Sequence, residues 1–158
     1  MTRSQLLDSA LLAPVIDAAR QSPRLRKNLN LHQSTEEPAQ RFFNAMEPDS
    51  YVPPHRHFQP GKEETLIVVR GSLGVFEFDD AGGVTRAARI AAGGEAFGIH
   101  VPLGVWHSIV ALEPGSVFIE VKGGPYIPFV PEDFAPWAPA EGSHDAARSI
   151  AKLRAMVS

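Results

Sequence analysis

At 158 residues the chain is long enough for one domain with a real hydrophobic core. Its 44% hydrophobic and 21% charged residues are ordinary for a globular protein, and a formal net charge of -3 gives no reason to expect nucleic acid or anionic membranes as partners. The absence of cysteine excludes disulfides, thiolate nucleophiles, Fe-S clusters and Cys-ligated zinc.

The first twenty residues carry Asp8 and Asp17 inside an apolar stretch and lack the h-region of a signal peptide. No window approaches the roughly eighteen apolar residues of a membrane span. A cytoplasmic location is the expectation. Leu6, Leu7, Leu11, Leu12, Val15, Ile16 and Ala19 recur at helical spacing. Pro14 suits a first turn better than an interior, which predicts a helix starting near Ala13 and ended by Pro23. Residues 24–32 alternate polar and apolar, as an extended segment with a leucine face.

From Gln40 to Lys122 the pattern is all β, with short apolar runs cut by Gly, Pro and Asp turns. Strands are expected near 41–47, 49–56, 64–70, 73–79, 84–91, 95–101, 106–112 and 116–122. Asp79 and Asp80, with the glycines after them, read as a hairpin turn and not a calcium loop. The stretch 125–139 holds too much proline and aromatic surface for a free linker and is read as an ordered strap. Residues 144–157 predict a short terminal helix. With no internal repeat, one structural domain is expected: an N-terminal helix and arm (1–39), a barrel (40–124), and a strap with a C-terminal helix (125–158).

The chemistry concentrates in four residues. His55 and His57 point the same way if their segment is extended. Glu64 opens the next strand after a short loop containing Gly61, and His107 follows the Pro102/Gly104 turn. Glu64 is preferred to Glu63 because six residues separate it from Gly71, the turn that closes its strand. Imidazole nitrogens with one carboxylate oxygen suit a divalent transition metal. Zn, Fe, Ni and Mn all fit, one ion per chain. Four ligands from three strand ends converge only if the sheet is closed or strongly curled, as in a double-stranded β-helix. Arg41, Tyr51, Phe58, Arg70, His100 and Trp106 are candidate pocket residues, with His32 and Tyr126 as further possibilities. No catalytic residue is assigned.

These residues resemble the cupin superfamily. His55, His57, Glu64 and Gly71 follow its first motif, with a longer gap before the glutamate. Pro102, Gly104 and His107 follow its second, with Ala111 in place of the closing asparagine. Over almost its whole length the chain is similar to the WbuC family of cupin-fold metalloproteins. That likeness is carried by Arg24-Leu25-Arg26, Asn28, Asn30, His32, Gln40-Arg41, Asn44, Pro54-His55-Arg56-His57, Glu64-Thr65, Gly104-Val105-Trp106-His107 and Phe134-Ala135-Pro136-Trp137-Ala138-Pro139. The resemblance implies a mainly β fold, the cupin jelly-roll barrel, with a bound metal.

Its association with surface-polysaccharide gene clusters implies a sugar-related substrate. Three function classes follow. The first is a metal-dependent enzyme, of oxygenase or isomerase type, acting on a small polar molecule. The second is a non-catalytic module binding a small molecule or sugar through its metal. The third is a metal-independent sugar isomerase or epimerase, against which the full ligand set argues. A homodimer is expected because open sheet edges need cover.

Overall fold

The first helix, α1, runs Ser9–Gln21, and the Asp8 side chain caps it by accepting from the Leu11 N–H at 3.0 Å. It therefore begins earlier than the sequence predicts, and Pro14 lies inside it. Burial of Val15, Ile16 and Ala19 against the sheet below holds the helix together across the hydrogen bond that proline cannot donate. Ser22 turns extended, just ahead of Pro23. The computed structural model describes residues 4–157; residues 1–3 and 158, the outer ends of the two flanking segments, lie outside it.

Among the described residues eight strands form two antiparallel sheets. They are β1 (Arg26–Asn30), β2 (Ala39–Met46), β3 (Glu64–Arg70), β4 (Ser72–Phe78), β5 (Val84–Ala91), β6 (Gly98–Val101), β7 (Trp106–Ala111) and β8 (Ser116–Gly123). The larger sheet has the order β1-β2-β8-β3-β6 and the smaller β5-β4-β7. A second helix, α2, spans His144–Arg154. The strand expected over 49–56 is not formed. Pro53 and Pro54 carry no N–H for a ladder, and only His55 pairs, bridging to His107 and to Phe134. The arm at 26–30 supplies a strand instead, pairing with β2.

Gly71 makes the passage from one sheet to the other. Its φ of +70° favours glycine, and a Cβ there would stand 2.5 Å from Ser116 Oγ.

The core lies in three layers. Between the sheets sit Met46, Leu66, Val68, Leu73, Val75, Ile90, Ala111 and Phe118. Outside the larger sheet α1 covers Phe43, Ala45 and Val117. Outside the smaller sheet α2 and the strap cover Phe76, Phe78, Trp106 and Val110. The space between the sheets is apolar at one end and polar at the other, and the polar end holds the four predicted ligands. No described helix is long and apolar enough to cross a membrane.

Candidate metal centre

The smaller sheet brings the histidines together. The His55 N–H donates to the His107 carbonyl at 3.0 Å and the His107 N–H to the His55 carbonyl at 2.9 Å. A pair that exchanges both backbone bonds sets its side chains side by side on one face. Their ring centroids are 4.4 Å apart, and the His57 ring lies 5.4 Å from His55. On the same irregular segment the Ala135 N–H donates to the Pro54 carbonyl and the Arg56 N–H to the Asp133 carbonyl, both at 2.9 Å. The strap thus grips the H-x-H segment, and Phe129 packs 5.1 Å from the His55 ring and 5.2 Å from the His57 ring.

Glu64 comes from the opposite sheet. Its carboxylate lies 2.8 Å from His57 Nε2 and 3.3 Å from His107 Nε2. One ligand atom from each of His55, His57, Glu64 and His107 falls within 4.8 Å of all the others. Two local bonds prepare the nitrogens for a cation. His55 Nδ1 lies 2.9 Å from the Pro53 carbonyl and His107 Nδ1 2.9 Å from the Val105 carbonyl. A carbonyl only accepts, so Nδ1 carries the hydrogen and Nε2 is the nitrogen left to ligate. His57 Nε2 is buried and makes no properly aligned hydrogen bond, despite its nearness to Glu64. Three imidazole nitrogens and one carboxylate oxygen, packed this closely, fit a divalent transition ion.

Behind Glu64 runs a chain of polar groups on the inner face of the larger sheet. Lys122 stands directly across from Glu64 in the β3–β8 ladder, and its Nζ reaches Glu64 Oε1 at 2.8 Å. The same Nζ is 2.9 Å from Glu120 Oε1, and Asn44 Nδ2 donates to Glu120 Oε2 at 2.9 Å. A cavity of about 230 Å³ adjoins these groups. His55, Glu64 and His107 form one side of it, and Phe42, Met46, Leu66 and Phe118 another.

Burial pushes His55 down to about 3, helped by the charge of His107, so this imidazole is neutral at physiological pH. For Glu64, burial works to raise the carboxyl, but contacts with His107 and His57 and the Lys122 charge outweigh it and hold it well below the carboxylate range. Burial likewise works to lower His107, but its contact with Glu64 lifts it. Lys122 is raised: burial opposes its charge, and Glu120 and Glu64 together prevail. Glu120 is pushed up to about 7 by burial and by the neighbouring Glu64 charge, against the pull of Lys122.

The Glu120 shift has a consequence for the metal-free protein. A carboxyl raised from 4.5 to about 7 stabilises the fold below pH 4.5, and that contribution is lost as pH rises through about 7. Glu120→Gln keeps a neutral amide at every pH. In urea denaturation its stability is expected to match wild type near pH 4.5 and to exceed it by roughly 1–3 kcal/mol at pH 8. A difference that does not vary with pH would refute this.

The six expected pocket residues lie elsewhere. Arg41 faces outward beside Phe42, its guanidinium 3.4 Å from Glu37. Tyr51 is buried in the core under α2. Phe58 is exposed and stacks beneath Arg56 at 4.3 Å. Arg70 lies near Leu7 and Leu12 at the α1 side. The exposed His100 has Nδ1 3.0 Å from Thr65 Oγ1. Trp106, one residue before His107, points to the opposite face, where its indole donates to Asp80 Oδ1 at 3.0 Å. His32 closes the β1–β2 end through Arg41 backbone, and Tyr126 is exposed on the strap. The residues that do join the ligand cluster are Asn44, Glu120 and Lys122. Their signal is the parity of β8, in which Phe118, Glu120 and Lys122 share one face.

Residues 7–90 match a family described as a domain of unknown function, DUF6016. The chain belongs to that family. No curated protein is significantly similar to it. KdgF from Halomonas sp. superposes with a TM-score of 0.51 at 18% identity, over 65% of this chain and 82% of that one. A variant of oxalate decarboxylase from Bacillus subtilis superposes with a TM-score of 0.50 at 21% identity, over 70% of this chain. This DUF6016 chain spans only 28% of that decarboxylase. The fold shared with these structures is the cupin fold; in this chain it is mainly β, with one helix before the strands and one after them.

Proposed function

We propose that the chain is a metal-dependent enzyme acting on a small polar molecule held in the barrel cavity. The observation that carries this is the convergence of His55, His57, Glu64 and His107 on one point beside that cavity. A bound divalent ion supplies Lewis acidity there. The protein's own part is to fix the tautomers of His55 and His107 through the Pro53 and Val105 carbonyls, and to hold Glu64 ionised with Lys122. Phe129 and Phe134 wall the histidines on the strap side. The test is elemental analysis of protein purified without exposure to nickel. About one equivalent of a transition metal per chain is expected, and protein that neither carries nor takes up such an ion would sink the reading.

We place the chain in the WbuC family as its finer assignment. Several residues of that resemblance gather at this end of the barrel: Arg26 and Asn44 border the cavity, and Phe134-Ala135 pair with the H-x-H segment. A sugar-related substrate is part of the same proposal. The lack of cysteine accords with a cytoplasmic protein.

A homodimer is our reading of the outer face of the larger sheet. Beyond the edge of α1 that face leaves Ile67, Val69 and Val121 at 38%, 41% and 39% exposure. Light scattering at micromolar concentration is expected to give twice the chain mass; a monomer would count against it.

A further inference from the structure

The pair Glu120–Lys122 is not explained by packing. A buried ion pair costs more than an apolar pair of similar volume, and its neighbours on this face, Phe118 and Leu66, are apolar. Two of the three Lys122 ammonium hydrogens are used by Glu64 and Glu120. The ammonium also lies over the face of Phe42, 5.5 Å away, and Lys122 borders the cavity.

Charge completes the case. With neutral imidazoles, the two carboxylates and the ammonium carry a single negative charge between them. A divalent ion leaves the centre one positive charge in excess, in surroundings where an uncompensated charge is costly. We propose that the cavity binds a small monocarboxylate with an apolar body. Its carboxylate would accept from the free hydrogen of Lys122 on the side facing the four residues that would hold the ion, and its body would lie against Phe42, Leu66 and Phe118. This rests on the metal-dependent reading above and names the ligand class of that site.

Benzoate and its neutral counterpart benzamide test it. Each is titrated at pH 8 into the Co(II)-loaded protein, followed by the visible absorption of Co(II) and by calorimetry. Benzoate is expected to bind at least about tenfold more tightly than benzamide, as a charge-assisted contact requires. Glu120→Gln adds to the excess positive charge and should tighten benzoate several-fold. Lys122→Met should weaken it at least about tenfold. The double variant Lys122→Met/Glu120→Gln keeps the net charge and leaves no partner of the pair unpaired, so it guards against a folding failure. It should bind benzoate more weakly than wild type and more tightly than Lys122→Met alone. Benzamide affinity should stay nearly constant throughout. Co(II) uptake with no preference for benzoate, or a double variant that binds benzoate as wild type does, overturns this inference alone. Failure to take up Co(II) overturns the metal reading and this one with it.

Discussion

Replacing His107 by alanine is expected to lower the affinity for Zn(II) by at least about 100-fold. Changes to groups that merely orient a ligand cost about 10–100-fold, and His107 is a proposed ligand itself. It is also the residue through which the two halves of the cluster meet. Its backbone pairs with His55, its Nδ1 is held by Val105, and its Nε2 faces Glu64. Alanine keeps the backbone pairing, so His55 and His57 stay in place while one donor is lost. Competition against a chromophoric chelator measures the affinity, and circular dichroism establishes that the variant is folded. His107→Gln, which fills most of the space, guards against a simple packing defect. Zn(II) affinity within about threefold of wild type in either folded variant would show that these four side chains do not share an ion.

Much of this centre was legible in the sequence because its logic is local. The alternation of side chains in an extended segment sets His55 and His57 on one face, and the Pro102/Gly104 turn positions His107 at the head of β7. The burial of Glu64, set against half-exposed Glu63, follows from where β3 begins. What was not legible depends on cover. In β8 both faces are plausible as the inner one, since Val117, Ile119 and Val121 alternate with Phe118, Glu120 and Lys122. Only the docking of α1 on Val117 and Ile119 makes the apolar set the outer one and turns the two charges inward. The same ambiguity of parity misplaced Trp106 and Arg41. The prolines at 53 and 54 read as part of a strand by position, although without N–H groups they leave His55 as a single bridge.

Lys122→Met is expected to destabilise the metal-free protein by about 3–5 kcal/mol at pH 8, the usual cost of removing one partner from a buried pair. The ammonium serves two carboxylates, Glu64 at 2.8 Å and Glu120 at 2.9 Å, and its side chain is only 17% exposed. Methionine supplies a similar stem, so the loss is electrostatic rather than a cavity. The sign of the pH dependence follows from Glu120. Already raised to about 7 beside a cation, its carboxyl rises further when the cation is removed. The penalty relative to wild type is therefore felt at high pH and fades as pH falls through about 7, where the wild-type carboxyl is protonated as well. Adding Glu120→Gln removes that penalty, because Glu64 keeps its contacts with His57 and His107. The double variant should recover most of the lost stability at pH 8, and the two curves should approach one another near pH 5. Equal destabilisation at both pH values, with no recovery in the double variant, would mean that Lys122 acts through packing and not through the charges it joins.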